Sequence, residues 1–183
     1  MNVFFAGRLV DFKDPVTFVN AARLLSEQNE TRHQFVIAGD GVLLEEVRAL
    51  AAGYANISVL GWIKPEKVEE LMAQTDIFCQ LSPYENLWAS TLVSAMKHKR
   101  AIICTDAGYT SKYLLHKVHV FLIPPRNPEA LARAIVELSG DMAMRKTLGE
   151  NSFTFLERNL SLERIAYQIR QLLSQLLQKS ASE

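Results

Sequence analysis

Neither sign of charge is in excess: twenty Lys and Arg face twenty Asp and Glu, for a formal net charge of zero. A nucleic-acid binder normally carries a basic surplus, so that function class is set aside and no nucleic acid is expected as a partner. No apolar run approaches the ~20 residues of a membrane span, and no signal-like segment is expected ahead of the first strand. Peripheral contact with the inner face of a membrane stays open, because small basic patches vanish in a net charge. Cysteine is scarce. Cys79 and Cys104 each sit within an apolar run, without Cys-x-x-Cys pairing or metal-ligand spacing, and read as buried reduced thiols of a cytoplasmic protein. His33, His98, His116 and His119 form no cluster, and no Asp-x-Asp pair is available for a divalent ion. A Walker sequence and a Gly-x-Ser-x-Gly elbow are missing as well. If this chain handles a phosphate ester, cationic side chains and helix termini stand in for magnesium, and neither metal nor cofactor is expected.

What is present fits one globular domain with a full core: 183 residues, 49% of them hydrophobic. Short apolar runs at 2–6, 34–38, 57–60, 76–82, 101–105 and 119–123 read as six strands. Helical patterns lie between them. Asp14-Pro15 caps the first, a second runs from Val42 to about Ala52, and Pro65 opens a third. A fourth covers about Leu87 to His98, a fifth Ser111 to Leu115, and Asn127-Pro128 caps a sixth over 129–138. Alternation of this kind predicts an α/β fold, a doubly wound six-stranded parallel sheet. Two further helices follow, and the expected division is a Rossmann-like domain over 1–159 and a C-terminal helix with tail over 160–183. In that last helix Leu162, Ile165, Ile169, Leu172, Leu173, Leu176 and Leu177 form an apolar stripe wide enough to need a partner surface. The stripe lies on its own domain, stays more exposed than a core stripe, or is covered by a second copy in a homodimer.

The stretch from Asp76 to Asp106 organises the rest. A buried strand stops at Ser82-Pro83-Tyr84-Glu85-Asn86 and the chain restarts as a helix, the arrangement by which open α/β sheets build ligand crevices. Unpaired N–H groups of such a helix suit a phosphate. Glu85 at the mouth either accepts hydrogen bonds from hydroxyls or complements the helix dipole. Arg8 and Lys13 follow the first strand and open at the same edge, where an arginine fork and a lysine point charge make a diphosphate clamp or simply solvate a loop. Gly39-Asp40-Gly41 is a tight turn without the spacing of a dinucleotide fingerprint.

In order, GRLVDFK, FVIAGDG, ISVLGWI, DIFCQLSPYE and SAMKHKRAIICTDAG, continuing through PEALARAIVEL, resemble the C-terminal domain of retaining glycosyltransferases of family 4. The resemblance covers nearly the whole chain and implies one Rossmann-like half of the GT-B fold. It implies a hexosyltransferase-type enzyme, for example one building cell-surface polysaccharide, in which this half holds a nucleotide-diphosphate sugar. An acceptor-binding N-terminal domain or separate subunit is implied too, and 183 residues suffice for one half only. The isolated chain is expected to transfer little or nothing.

By the same resemblance Gly7, Arg8 and Lys13 meet the donor diphosphate, with Gly39 in the adjoining turn. Gly61, Trp62 and Ile63 meet the nucleobase. Glu85 matches the first Glu of the family's paired-glutamate motif, the one that addresses the donor sugar, and is the candidate catalytic residue. Asn86, Leu87 and Trp88 replace the usual small-residue loop after it. The second Glu, which usually binds ribose, is replaced: the position before Ala95-Met96 is Ser94, and counting forward from Glu85 gives Val93. These departures keep a second class of function in view, a degenerate non-catalytic domain acting as a partner or scaffold. Another sugar-nucleotide enzyme of the same fold, such as an epimerase, is a third.

Overall fold

A computed structural model of the chain describes residues 1–28, 32–83, 89–108, 110–160 and 162–180. Six strands, β1 (Asn2–Ala6), β2 (Gln34–Ala38), β3 (Ile57–Val59), β4 (Ile77–Gln80), β5 (Ala101–Thr105) and β6 (Phe121–Ile123), form one all-parallel sheet in the order β3-β2-β1-β4-β5-β6. The helices between them are α1 (Pro15–Glu27), α2 (Leu44–Ala51), α3 (Pro65–Ala73), α4 (Ser90–Lys97), α5 (Thr110–Tyr113) and α6 (Pro128–Gly140). Last come α7 (Met142–Leu160) and α8 (Leu162–Ser180). The doubly wound α/β sheet expected from the sequence is the fold.

Burial explains why the strands read as unbroken apolar runs: a parallel sheet covered on both faces has no wet side. The strand period of two divides them between two cores. Val3 and Phe5 join Phe18, Leu25, Ile37 and Ile135 on one face, while Phe4 joins Phe78, Met72, Met96 and Leu156 on the other. Cys79 and Cys104 are buried thiols in the neighbouring strands β4 and β5, and burial pushes both thiols up, that of Cys104 to a point where no thiolate forms near neutrality.

Proline at the first helical turn fixes the starts of α1, α3 and α6, and the Asp14 and Asn127 side chains accept the capping hydrogen bonds. Several boundaries differ from the sequence expectation, three of them with a visible cause. The second helix begins at Leu44 instead of Val42, because the Leu43 N–H is taken by the Leu9 carbonyl at 3.0 Å, and Val42 is left outside, 88% exposed. Strand β4 spans only Ile77–Gln80, since the Leu81 carbonyl accepts from the Thr105 hydroxyl at 2.7 Å in place of a ladder partner. Strand β6 starts at Phe121, because the preceding residues close a turn in which His119 N–H bonds to the Leu115 carbonyl.

Helix α8 packs chiefly on α7. Of its stripe, Ile165 is half-buried, while Ile169, Leu172, Leu173 and Leu177 are all more than half exposed. No helix among the described residues is long and apolar enough to cross a membrane.

Candidate functional site

Strands β1, β2 and β3 run one way from the centre of the sheet and β4 returns to the other side of β1, so the topological switch lies between β1 and β4. Ligand crevices of open α/β sheets form there, outside the carboxyl ends of the strands. A cleft of about 310 Å³ occupies this place. Its walls come from five separate stretches: Ala6, Gly7 and Arg8 after β1, Ala38, Gly39 and Asp40 after β2, Trp62 and Ile63 after β3, Val68 of α3, and Thr91 of α4.

Two glycines make this convergence possible. A Cβ on Gly39 would lie 1.8 Å from the Gly7 carbonyl oxygen, and one on Gly41 would lie 2.4 Å from that of Leu9. Both have positive φ, 151° and 153°, which a side chain resists. The two loops therefore touch backbone to backbone. Gly7 N–H bonds to the Ala38 carbonyl at 3.0 Å, Leu9 N–H to that of Asp40 at 2.8 Å, and Gly39 N–H to that of Gly61 at 2.8 Å. The last bond, with Gly61 itself at φ 68°, sets the loop that carries Trp62 and Ile63. Trp62 stands on the rim, 68% exposed, while Ile63 packs on the core beneath.

Arg8 reaches the cleft and Lys13 does not line it, but the two are joined by one ring. The Arg8 guanidinium lies 5.1 Å and the Lys13 ammonium 5.5 Å from the centre of Phe12. Lys13 is half-buried. Burial first, and the Arg8 charge second, hold its ammonium below the usual lysine range. A single 3-10 turn, Asp11–Lys13, presents Phe12 and Lys13, and Asp14 ends that turn in the left-handed region (φ 55°) while capping α1. The Arg126 guanidinium, from the loop after β6, pairs with Asp11 and ties the turn down from outside.

The structure thus brings together Gly7, Arg8, Gly39, Trp62 and Ile63, with Gly61 and Lys13 immediately behind them. Ser94 is buried on α4 at 5% exposure and is not among the residues that line the cleft. Three residues apart, Thr91 and Ser94 share a face of α4, and the one that reaches the cleft lining is the threonine, with the serine deeper in the protein. Glu85, Asn86, Leu87 and Trp88 lie outside the described residues. Asp40, Val68 and Thr91 were missed by sequence reasoning. Asp40 sat in plain view inside the Gly39-Gly41 turn, whose paired glycines were the available signal of a close backbone approach.

With this geometry in place, the protein-family comparison decides the affiliation: the glycosyl transferases group 1 model matches residues 1–141. The chain belongs to this glycosyltransferase family. Among the curated relatives, an uncharacterized glycosyltransferase of Methanocaldococcus jannaschii is 24% identical over 175 residues, 94% of this chain and 45% of that protein. The solved structure of Anabaena HepE in complex with UDP and glucose shares the fold at a TM-score of 0.81 and 20% identity, over 94% of this chain and 48% of that one. The C-terminal domain of a glycosyl transferase group 1 family protein (LpcC) from Francisella tularensis does so at 0.77 and 19%, over 88% of this chain and 86% of that one. The chain spans about half the length of the curated relatives it matches. Its sheet is that of one Rossmann-like half of a GT-B glycosyltransferase.

Proposed function

We propose that this chain is the donor-binding half of a retaining glycosyltransferase of the hexosyltransferase type, taking a nucleotide-diphosphate sugar. The observation that carries the reading is the pair of cations held around Phe12 beside a cleft at the switch point of the sheet. Two positive groups kept close against their mutual repulsion suit an anion that spans both, and a diphosphate does. In this reading the Gly61-Trp62-Ile63 loop meets the nucleobase, Arg8 and Lys13 meet the diphosphate, and Glu85 addresses the hydroxyls of the donor sugar. The acceptor is held by another domain or subunit. The complex of HepE with UDP and glucose supports a uridine nucleotide as the first donor to test.

Calorimetric titration with UDP, GDP and ADP, and with the matching nucleosides, tests the proposal. The Arg8→Ala variant is expected to lose about 10- to 150-fold in nucleoside diphosphate affinity, the weight of a charge-assisted hydrogen bond of roughly 1.5–3 kcal/mol. Nucleoside affinity is expected to hold. Equal loss for nucleoside and diphosphate would remove the clamp assignment. No binding by the parent chain at millimolar concentration would move the reading to a non-catalytic partner domain.

A further inference from the structure

Among the described residues that line the cleft only two carry charge, Arg8 and Asp40. They do not form an ion pair with each other, although they share one cleft of about 310 Å³. Asp40 is exposed and yet firmly held. Its carbonyl accepts from Leu9 N–H at 2.8 Å, and its Oδ1 accepts from Gly41 N–H at 2.7 Å. That leaves Oδ2 without a bond from any described residue, on a backbone that Gly39 and Gly41 lock against the β1 loop.

The order of the sheet gives this carboxylate an address. A nucleoside diphosphate runs base, ribose, phosphates. The edge of the sheet runs β3, β2, β1. If the loop after β3 takes the base and the loop after β1 takes the phosphates, the loop after β2 lies against the ribose. Vicinal hydroxyls are donors, and a carboxylate with an uncommitted oxygen is the acceptor that suits them. We propose that Asp40 takes the 2′- and 3′-hydroxyls of the donor's ribose and makes the site selective for ribonucleotides over deoxyribonucleotides. The inference rests on the donor-binding reading above.

The test pairs each nucleoside diphosphate with its deoxy counterpart: UDP with dUDP, GDP with dGDP, ADP with dADP, on the full 183-residue chain. For the pair that binds best, the parent is expected to prefer the ribonucleotide by about tenfold. The variant Asp40→Asn keeps an oxygen for the Gly41 N–H and removes the charge. It is expected to bind the ribonucleotide several-fold more weakly, to bind the deoxyribonucleotide within twofold of the parent, and to melt at the parental temperature. Asp40→Ala is expected to abolish the preference. A parent that binds both sugars alike, or variants that keep the full preference, would overturn the role of Asp40 and leave the donor-binding reading standing. A parent that binds no nucleoside diphosphate would overturn both.

Discussion

Replacing Gly39 by alanine probes the joint on which the cleft depends. The new methyl carbon would arrive 1.8 Å from the Gly7 carbonyl oxygen and 2.9 Å from its carbon. Real Cβ contacts do not fall below 3.0 Å, so one loop must retreat by at least about 1.2 Å. Neither side yields easily, because Gly7 N–H to Ala38 and Leu9 N–H to Asp40 cross this seam, and Gly39 N–H to Gly61 holds the β2 loop from its other side. Losing one or two of these bonds, together with the cost of a side chain at φ 151°, amounts to about 2–4 kcal/mol. For a domain of this size that is a drop of about 5–15 °C in melting temperature. The assay is a thermal melt of Gly39→Ala beside Gly140→Ala, where a Cβ at the end of α6 meets nothing within 4 Å and stability should hold or rise. The retreat should also widen the cleft, so nucleoside diphosphate affinity should fall in the surviving folded protein. A Gly39→Ala melt within 2 °C of the parent would show that the two backbones are not locked, and the account of the cleft would fail.

Two further predictions concern stability. The His119 ring accepts from Leu115 N–H through Nδ1 at 3.1 Å and lies on Phe155, and burial holds it below its ordinary value of 6.5. The unfolded chain then binds the extra proton first as pH falls, so this contribution is intact above pH 6.5 and declines as pH drops from there through the lower folded value. Melts at pH 7.5 and 5.5 should show a smaller difference in His119→Gln than in the parent, and an equal difference would refute the assignment. Ending the chain at Gln171 should change the melting temperature by only about 2 °C, because Leu172, Leu173 and Leu177 cover no core of their own chain. A loss of more than 5 °C would show that they do, and a dimer seen by light scattering only for the longer chain would identify a second copy as their cover.

The strands and most helix starts were legible because their causes are local. Asp14-Pro15 and Asn127-Pro128 announce capped helices within two residues, and a strand buried on both faces, such as Ala101–Thr105, cannot help being apolar. Boundaries failed where the deciding partner was distant in sequence. Nothing near Val42 reveals that Leu9 takes the next N–H, and nothing near Leu81 reveals the Thr105 hydroxyl. The cleft divides the same way. Gly7, Arg8, Gly39, Trp62 and Ile63 follow strand ends and were found. Asp40 and Thr91 depend on which way a turn and a helix are rolled, which the sheet order and the backbone seam decide. A motif gives the position of Ser94 along α4 and not its depth beneath the surface, where the structure buries it.

The two cations on Phe12 also bear on how fast a ligand arrives. The chain as a whole is neutral, so an anion approaching from afar feels little pull. Within a Debye length of the opening, about 8 Å at physiological salt, it meets two positive charges, Arg8 at the wall and Lys13 just behind, which outweigh the single carboxylate of Asp40 on the lining. Such a local field guides only the final approach, turning the phosphate end of the molecule inward while the base is still in water. Added salt should therefore slow association and leave dissociation nearly unchanged, and a nucleoside without phosphates should arrive at a rate that ignores salt.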